Sequence, residues 1–300
     1  MEILFTVFTP TYNRAYILPK LYNSLCAQTK KNFEWLIVDD GSTDETEELV
    51  SSWLSKENGF SINYVKKENG GKPRAINFGV KLARGKYFFM VDSDDHILPG
   101  AIDMMTAWVA EIDDDESFIG VGAAKGFPDH TYIKGVAPVV NQEGYVDATN
   151  LERARYNLDA DMGEAYKTDV FAKFPMAQWP GEKFAPEQIA LNDIALAGYK
   201  LRWHSEIIYV CDYLEDGLTR GSRRLEKNNP MGYAMMYDHM LKYGYSFKRN
   251  FFCASQAIAL ALYARQPKFL LKMNSKLLMV LALPFGMVLS LRRAIQFRKV

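Results

Sequence analysis

The chain has 300 residues, 48% of them hydrophobic and 24% charged, which is ordinary globular composition and excludes a disordered or fibrous protein. Thirty-six Lys and Arg balance 36 Asp and Glu, so the chain as a whole is not a basic nucleic-acid binder. The balance is uneven: no acid follows Asp238, whereas eleven Lys or Arg do, so residues 239–300 carry +11 and residues 1–238 carry −11. Such a split predicts a surface-binding tail on an acidic body.

Cys26, Cys211 and Cys253 are scattered and form no CxxC pair. That spacing argues against a disulfide framework or a zinc site and suits a reducing cytosol. The N-terminus has an acid at position 2, and its short apolar run reads as a strand rather than a signal peptide.

Strand and helix signals alternate through the first hundred residues. Ile3–Thr9 is apolar and β-prone, and Pro10, Thr11, Tyr12 and Asn13 break it. Tyr16–Ala27 has helical spacing, with Leu18, Leu21, Tyr22 and Leu25 on one face. Phe33–Val38 is a compact strand ending in Asp39-Asp40-Gly41-Ser42. Thr43–Leu54 reads as a helix, with Ser42 or Thr43 as its N-cap and acids near its positive end. Ile62–Val65 is a strand and Lys72–Ala83 a helix. Tyr87–Val91 is a strand ending in Asp92-Ser93-Asp94-Asp95, and Pro99-Gly100 opens a helix through about Ala110. Residues 111–180 are irregular; Pro186–Gly198 reads as a helix, Leu201–Val210 as a strand, and 213–232 as a mobile loop.

Strands separated by helices imply an α/β fold with a mostly parallel sheet covered on both faces. In such sheets ligands bind beyond the carboxyl ends of the strands. The polar clusters at Thr9–Arg14, Asp39–Ser42 and Asp92–Asp95 all fall at such ends. Asp92 and Asp94, at i and i+2, converge on one side of an extended chain, and hard oxygens of this kind suit Mg²⁺ or Mn²⁺ held with phosphates. The same DxD also reads as a solvated turn. Asp39–Ser42 reads either as a turn with a helix cap or as a carboxylate that accepts from a nucleobase N–H.

The tail holds two fifteen-residue uncharged stretches, Asn250–Ala264 and Leu277–Leu291, the second flanked by Lys272, Lys276, Arg292 and Arg293. Each is short of the ~20 residues a spanning helix needs, and Pro284 and Gly286 are expected to bend the second. The tail is therefore expected to lie on an anionic membrane surface; the alternative is a pair of core helices.

The four segments TPTYNR, VDDGSTDET, ENGGKPRAINFGV and ARGKYFFMVDSDD, in this order, resemble the nucleotide-binding half of family 2 glycosyltransferases of the GT-A fold. The likeness covers about residues 3–110. It implies that Pro10 and Tyr12 pack around base and ribose, that Asp40 hydrogen-bonds the uracil ring, and that Lys72 and Asn77 line the nucleotide pocket. Asp92 and Asp94 are implied to position a divalent metal (Mn²⁺ or Mg²⁺) and the donor sugar. Members of this kind transfer with inversion and need a general base, usually within an acidic pair about a hundred residues after the DxD. Here that region reads Glu182-Lys183-Phe184-Ala185-Pro186-Glu187-Gln188. An amide is no base, so Glu187 is the candidate and Glu182 the reserve; Glu187 also reads as a first-turn helix residue. Tyr213–Thr219 resembles a lid segment of capsule- and exopolysaccharide-type members, and Arg220, Arg223 and Arg224 are candidate phosphate contacts.

The organisation implied is a nucleotide-sugar-binding half at 1–110, an acceptor-binding and catalytic half of the same GT-A domain at 111–235, and a basic helical extension at 236–300. The function implied is transfer of a sugar from a UDP-sugar to a saccharide or lipid-linked saccharide, at the inner face of the cytoplasmic membrane, without nucleic acid. The competing reading is a non-catalytic nucleotide- or membrane-binding homologue. Nucleotidyl transfer calls for a Gly-rich, basic phosphate loop after the first strand, and a dehydrogenase for G-x-G-x-x-G; TPTYNR is neither.

Overall fold

A computed structural model describes residues 3–211 and 222–298. The chain forms two compact units, Met1–Pro175 with Asn192–Asp212, and Met176–Leu191 with Tyr213–Val300.

The first unit is built on strands β1 (Phe5–Thr11), β2 (Phe33–Asp39), β3 (Ser61–Lys66), β4 (Tyr87–Met90), β5 (His96–Ile97), β6 (Phe118–Gly126), β7 (Tyr145–Ala148), β8 (Met162–Lys167) and β9 (Lys200–Val210). Its helices are α1 (Leu18–Cys26), α2 (Thr46–Leu54), α3 (Lys72–Leu82), α4 (Ala101–Ile112) and the short α5 (Thr168–Phe171). The sheet runs β3-β2-β1-β4-β8-β6-β9-β5, with β7 also on β9. Strands β3, β2, β1 and β4 are parallel. Beyond them β8 runs antiparallel to β4 and β6, and β5 and β7 run antiparallel to β9.

The apolar runs are the buried strands. Every residue of β2 and all but Pro10 of β1 are buried, as expected for central strands covered on both faces. Glu34 on β2 is fully buried and fully satisfied: it accepts from Thr6 Oγ1 at 2.7 Å, Asn63 Nδ2 at 2.7 Å and Arg84 Nε at 2.6 Å. Stacked aromatics close one side of the sheet, Tyr22 lying 4.3 Å from Trp53 and both near Trp35.

Several expectations need correction. Helix α2 begins at Thr46, and neither Ser42 nor Thr43 caps it; Ser42 Oγ instead accepts from Asn13 N at 2.8 Å, and Asp44 Oδ1 bonds the Thr46 hydroxyl at 2.6 Å. The irregular stretch 111–180 supplies β6, β7 and β8, which complete the sheet. The second unit starts at Met176, whereas the expected basic extension starts at 236.

The second unit is helical: α7 (Ser222–Asn228), α8 (Pro230–His239), α9 (Phe247–Tyr263) and α10 (Lys276–Phe297), with a 3-10 turn at Pro267–Lys272. Helix α6 (Gln188–Leu196) runs across the division between the units. Part of the stretch read as a loop, 213–232, is thus helical. Its caps are tertiary: Glu182 Oε1 and Oε2 accept from Met231 N and Gly232 N, each at 2.8 Å, satisfying the first amides of α8. The tail stretch read as fifteen residues is a 22-residue helix that continues through Pro284. The missing amide of Pro284 falls on the exposed side, and packing against α9 holds the turns on either side.

Candidate active site

The strand order reverses at β1, which lies between β2 and β4. This is the topological switch point where ligands bind in open α/β sheets. Three of the polar segments meet there.

The loop after β1 turns at Asn13, which has a left-handed backbone (φ 53°). Its side-chain oxygen accepts from Thr43 N at 2.8 Å, tying the β1 and β2 loops together. Asp39 caps its own turn by accepting from Ser42 N at 2.7 Å, and it also accepts from the Tyr64 hydroxyl at 2.5 Å. Burial and the Asp39 carboxylate together push the Tyr64 phenol well up. Gly41 has φ 86°, and a Cβ there would come within 2.9 Å of Asn69 N, so glycine is required for this loop to lie against the segment before α3.

Asp40 is buried and accepts three bonds, from Lys67 Nζ at 2.6 Å, Gly70 N at 2.9 Å and Gly71 N at 2.6 Å. A carboxylate has about four lone-pair directions, so one remains, on Oδ2, for an external donor. Asp40 therefore organises the N-terminal approach to α3 before it meets any ligand. Tyr12 is half exposed at the mouth of this region, and Pro10 is the partly exposed residue of β1. Asn77 sits one turn and a half into α3.

Lys72 is the first residue of α3, and its Nζ lies 2.8 Å from Asp92 Oδ1. Burial raises the Asp92 carboxyl, but Lys72 and Lys125 outweigh it and hold the group below the usual carboxylate range. Asp94 goes the other way: burial and the charge of Asp92 push it up. Asp95 is buried and is pushed up to about 7, by burial first and then by its two neighbours, against the pull of Lys125.

Lys125 and Tyr209 complete the site from distant parts of the chain. Lys125 on β6 has a side chain only 9% exposed, with Nζ 3.7 Å from Asp95 and 3.9 Å above the Tyr209 ring. The Tyr209 hydroxyl accepts from Asp92 N at 2.8 Å and bonds the Asp95 carboxylate. The DxD turn thus rests on a buried Lys–Tyr platform. No motif marks either residue; the one local signal is a lysine placed directly after the apolar stretch 118–124.

A divalent cation needs several oxygen donors. Among the described residues no three His, Cys, Asp or Glu side chains are arranged to hold one alone. One or two carboxylates completed by diphosphate oxygens and water are the usual arrangement for Mg²⁺ with nucleotides. Asp94 fits that arrangement: burial first, and then the Asp92 charge, disfavour its bare carboxylate, and a cation beside it would offset both. Asp92 is already paired to Lys72.

In the second unit Glu187 immediately precedes α6, at the positive end of that helix, and its carbonyl accepts from Leu191 N at 3.1 Å. Glu182 is committed to the α8 amides described above. Arg223 and Arg224 are exposed on α7. The lid segment Tyr213–Thr219 and Arg220 lie outside the described residues.

Residues 6–149 match the model of glycosyl transferase family 2. The chain carries a family 2 glycosyltransferase domain. A glycosyltransferase of Rickettsia prowazekii is 36% identical over 119 residues, 40% of this chain and 36% of that protein. The glycosyltransferase GlyG of Streptococcus pneumoniae is 34% identical over 116 residues, 38% of each chain. The poly(ribitol-phosphate) β-N-acetylglucosaminyltransferase TarS of Staphylococcus aureus is 33% identical over 124 residues, 41% of this chain and 22% of TarS. The matched stretches thus span well under two thirds of each of these relatives. In three dimensions the chain resembles residues 1–349 of S. aureus TarS crystallised with UDP-GlcNAc (TM-score 0.61, 20% identity, 96% of this chain and 81% of that one). It also resembles a mannosyltransferase of Pyrobaculum calidifontis in complex with GDP-Man and Mn²⁺ (TM-score 0.56, 16% identity, 98% and 88% covered). The fold is that of GT-A glycosyltransferases.

Proposed function

We propose that this protein moves a sugar from a UDP-linked donor to a saccharide or lipid-linked saccharide acceptor, with inversion at the anomeric carbon, in cell-surface polysaccharide assembly. The observation that carries this is the acidic pair at the switch point: Asp92 paired to Lys72 at 2.8 Å, with Asp94 two residues on, its carboxyl raised by burial and by the Asp92 charge. The TarS structure with UDP-GlcNAc supports a UDP-sugar, and UDP-GlcNAc is the first donor to test.

Base and ribose contact Pro10 and Tyr12, and the uracil N–H reaches the remaining Oδ2 direction of Asp40. Lys72 and Asn77 line the nucleotide pocket. Asp94, with Asp92 beside it, would hold a divalent cation, which would supply charge neutralisation to the departing diphosphate. Glu187 takes the acceptor hydroxyl proton as the new oxygen–carbon bond forms and the bond to diphosphate breaks. Glu182, whose two oxygens cap α8, is the weaker candidate for that proton. The basic tail holds the enzyme at the inner face of the cytoplasmic membrane.

The test is a donor screen with UDP-glucose, UDP-galactose and their N-acetylated forms, following UDP release with Mn²⁺ or Mg²⁺. Metal-dependent release from one donor is expected. UDP binding without turnover of any donor, with acceptor saccharides present, would favour a non-catalytic homologue instead.

A further inference from the structure

Helix α10 has its polarity reversed. The side packed into its own unit is formed by Leu278, Ala282, Gly286 and Phe297. A Cβ on Gly286 would sit 2.4 Å from Ile258, so α9 and α10 are in close contact there. Phe285 meets Phe251, Phe297 meets Tyr263, and Arg293 bonds both Glu226 and Gln256. The helix is therefore fixed to its neighbours from its middle to its end.

The opposite side carries Leu277, Val280, Leu281, Val288, Leu291 and Ile295, each 44–70% exposed. At 3.6 residues per turn these fall within an arc of roughly 100°. A surface helix of a soluble protein shows charged and polar side chains on that arc, and an exposed apolar stripe this long marks a docking face. The charges stand at its margins and ends: Lys268, Lys272, Lys276, Arg292 and Arg298 are all exposed, and no acid follows Asp238.

This rim decides the occupant. A second copy would bring one basic rim against another. An anionic bilayer offers apolar chains for the stripe and headgroup charge for the rim, at ~1 kcal/mol per basic residue near the surface. Among the described residues α10 is also the one helix long and apolar enough to cross a membrane. Crossing would carry Arg293 with its Glu226 and Gln256 partners into hydrocarbon, or break those contacts.

We propose that α10 lies flat in the interface of an anionic bilayer, its outer stripe among the acyl chains and its inner face still packed on α9. This rests on the membrane placement proposed above and adds its mode.

The full chain is sedimented with vesicles of equal parts phosphatidylcholine and phosphatidylglycerol, and with phosphatidylcholine alone. Salt-sensitive binding to the anionic vesicles is expected. The triple variant V280Q/V288Q/L291Q, altered only at exposed positions, should keep its circular dichroism and bind at least ~10-fold less. Depth is read from an environment-sensitive dye on V280C or I295C, in a Cys26→Ser background, with nitroxide lipids as quenchers. Equal, shallow quenching is expected, because a span would separate the two sites by about 22 Å in depth.

No binding of the wild type overturns the membrane placement itself. Binding that survives in the triple variant overturns the role of α10 and leaves the placement standing. Unequal depths overturn the in-plane mode. A lipid-free dimer by sedimentation velocity, lost in the triple variant, assigns the stripe to a second copy and overturns the proposal.

Discussion

Lys125→Met removes the buried cation beneath the DxD turn. Lys125 is 9% exposed, lies 3.7 Å from an Asp95 that is itself 8% exposed, and also attracts Asp92. Removing one partner of a buried ion pair costs about 3–5 kcal/mol, because the remaining charge is left without compensation. Here Asp95 can take a proton, which limits the loss. Its carboxyl stands near 7 with Lys125 present, and it rises further once the cation is gone. A raised carboxyl contributes stability that is present at low pH and is lost as pH rises through the folded value. In the wild type that loss ends near pH 7; in the variant it continues above it. The penalty of Lys125→Met should therefore be smallest below pH 7 and grow by up to about 1.4 kcal/mol per pH unit above it. Adding Asp95→Asn should recover part of the loss, as expected for directly coupled residues. Urea unfolding followed by tryptophan fluorescence at pH 6 and pH 8.5 measures all three proteins. A penalty below about 1 kcal/mol that is flat with pH, or a double variant no better than Lys125→Met alone, would refute the ion-pair reasoning.

Asp94→Ala should cut transfer by at least ~10²-fold, and EDTA should do the same to the native enzyme until Mn²⁺ or Mg²⁺ is restored; full turnover in excess chelator counts against the metal. Glu187→Gln should lower kcat by ~10²–10⁴-fold with UDP affinity unchanged. Glu182→Gln should instead lower stability by about 1 kcal/mol through the α8 cap and leave turnover of the folded enzyme intact; the reverse pattern would make Glu182 the base. His204, buried and stacked 3.9 Å from Trp108, is pushed down to about 4 by burial and by Arg202. A depressed histidine costs stability as pH falls from its unfolded value near 6.5 toward 4, so an acid limb is expected that His204→Phe flattens. Its ring proton signal in NMR should not titrate above about pH 5, and a midpoint near 6.5 would show that the ring is not desolvated.

The order of the elements was legible because each signal is local. The strand signals at β1, β2, β3 and β4 end in turn residues, and the four polar segments lie at those ends whatever the rest of the chain does. Asp40, Asp92 and Asp94 stand out as candidates for the same reason, whereas Lys72 is singled out only by the family resemblance. The strands between 118 and 167 were not legible: β6 and β8 are held by pairing with β4 and β9, and glycines at 120, 122 and 163 lower their local β preference.

What surrounds the candidate residues was decided only by tertiary structure. Lys125 and Tyr209 meet Asp92 and Asp95 from 30 and 114 or more positions away in the chain, and no spacing rule spans such distances. Glu182 became a helix cap because the fold brings it to amides 49 and 50 residues further on. The composition of α10 was plain from its letters, but a helix has no inside or outside until a neighbour covers one face. Packing Ala282 and Gly286 on α9 used the small side chains and left the large apolar ones facing outward. Sequence sets which side chains a helix carries; only contacts between distant segments determine which of them meet solvent, lipid or core, because burial is a property of pairs of surfaces.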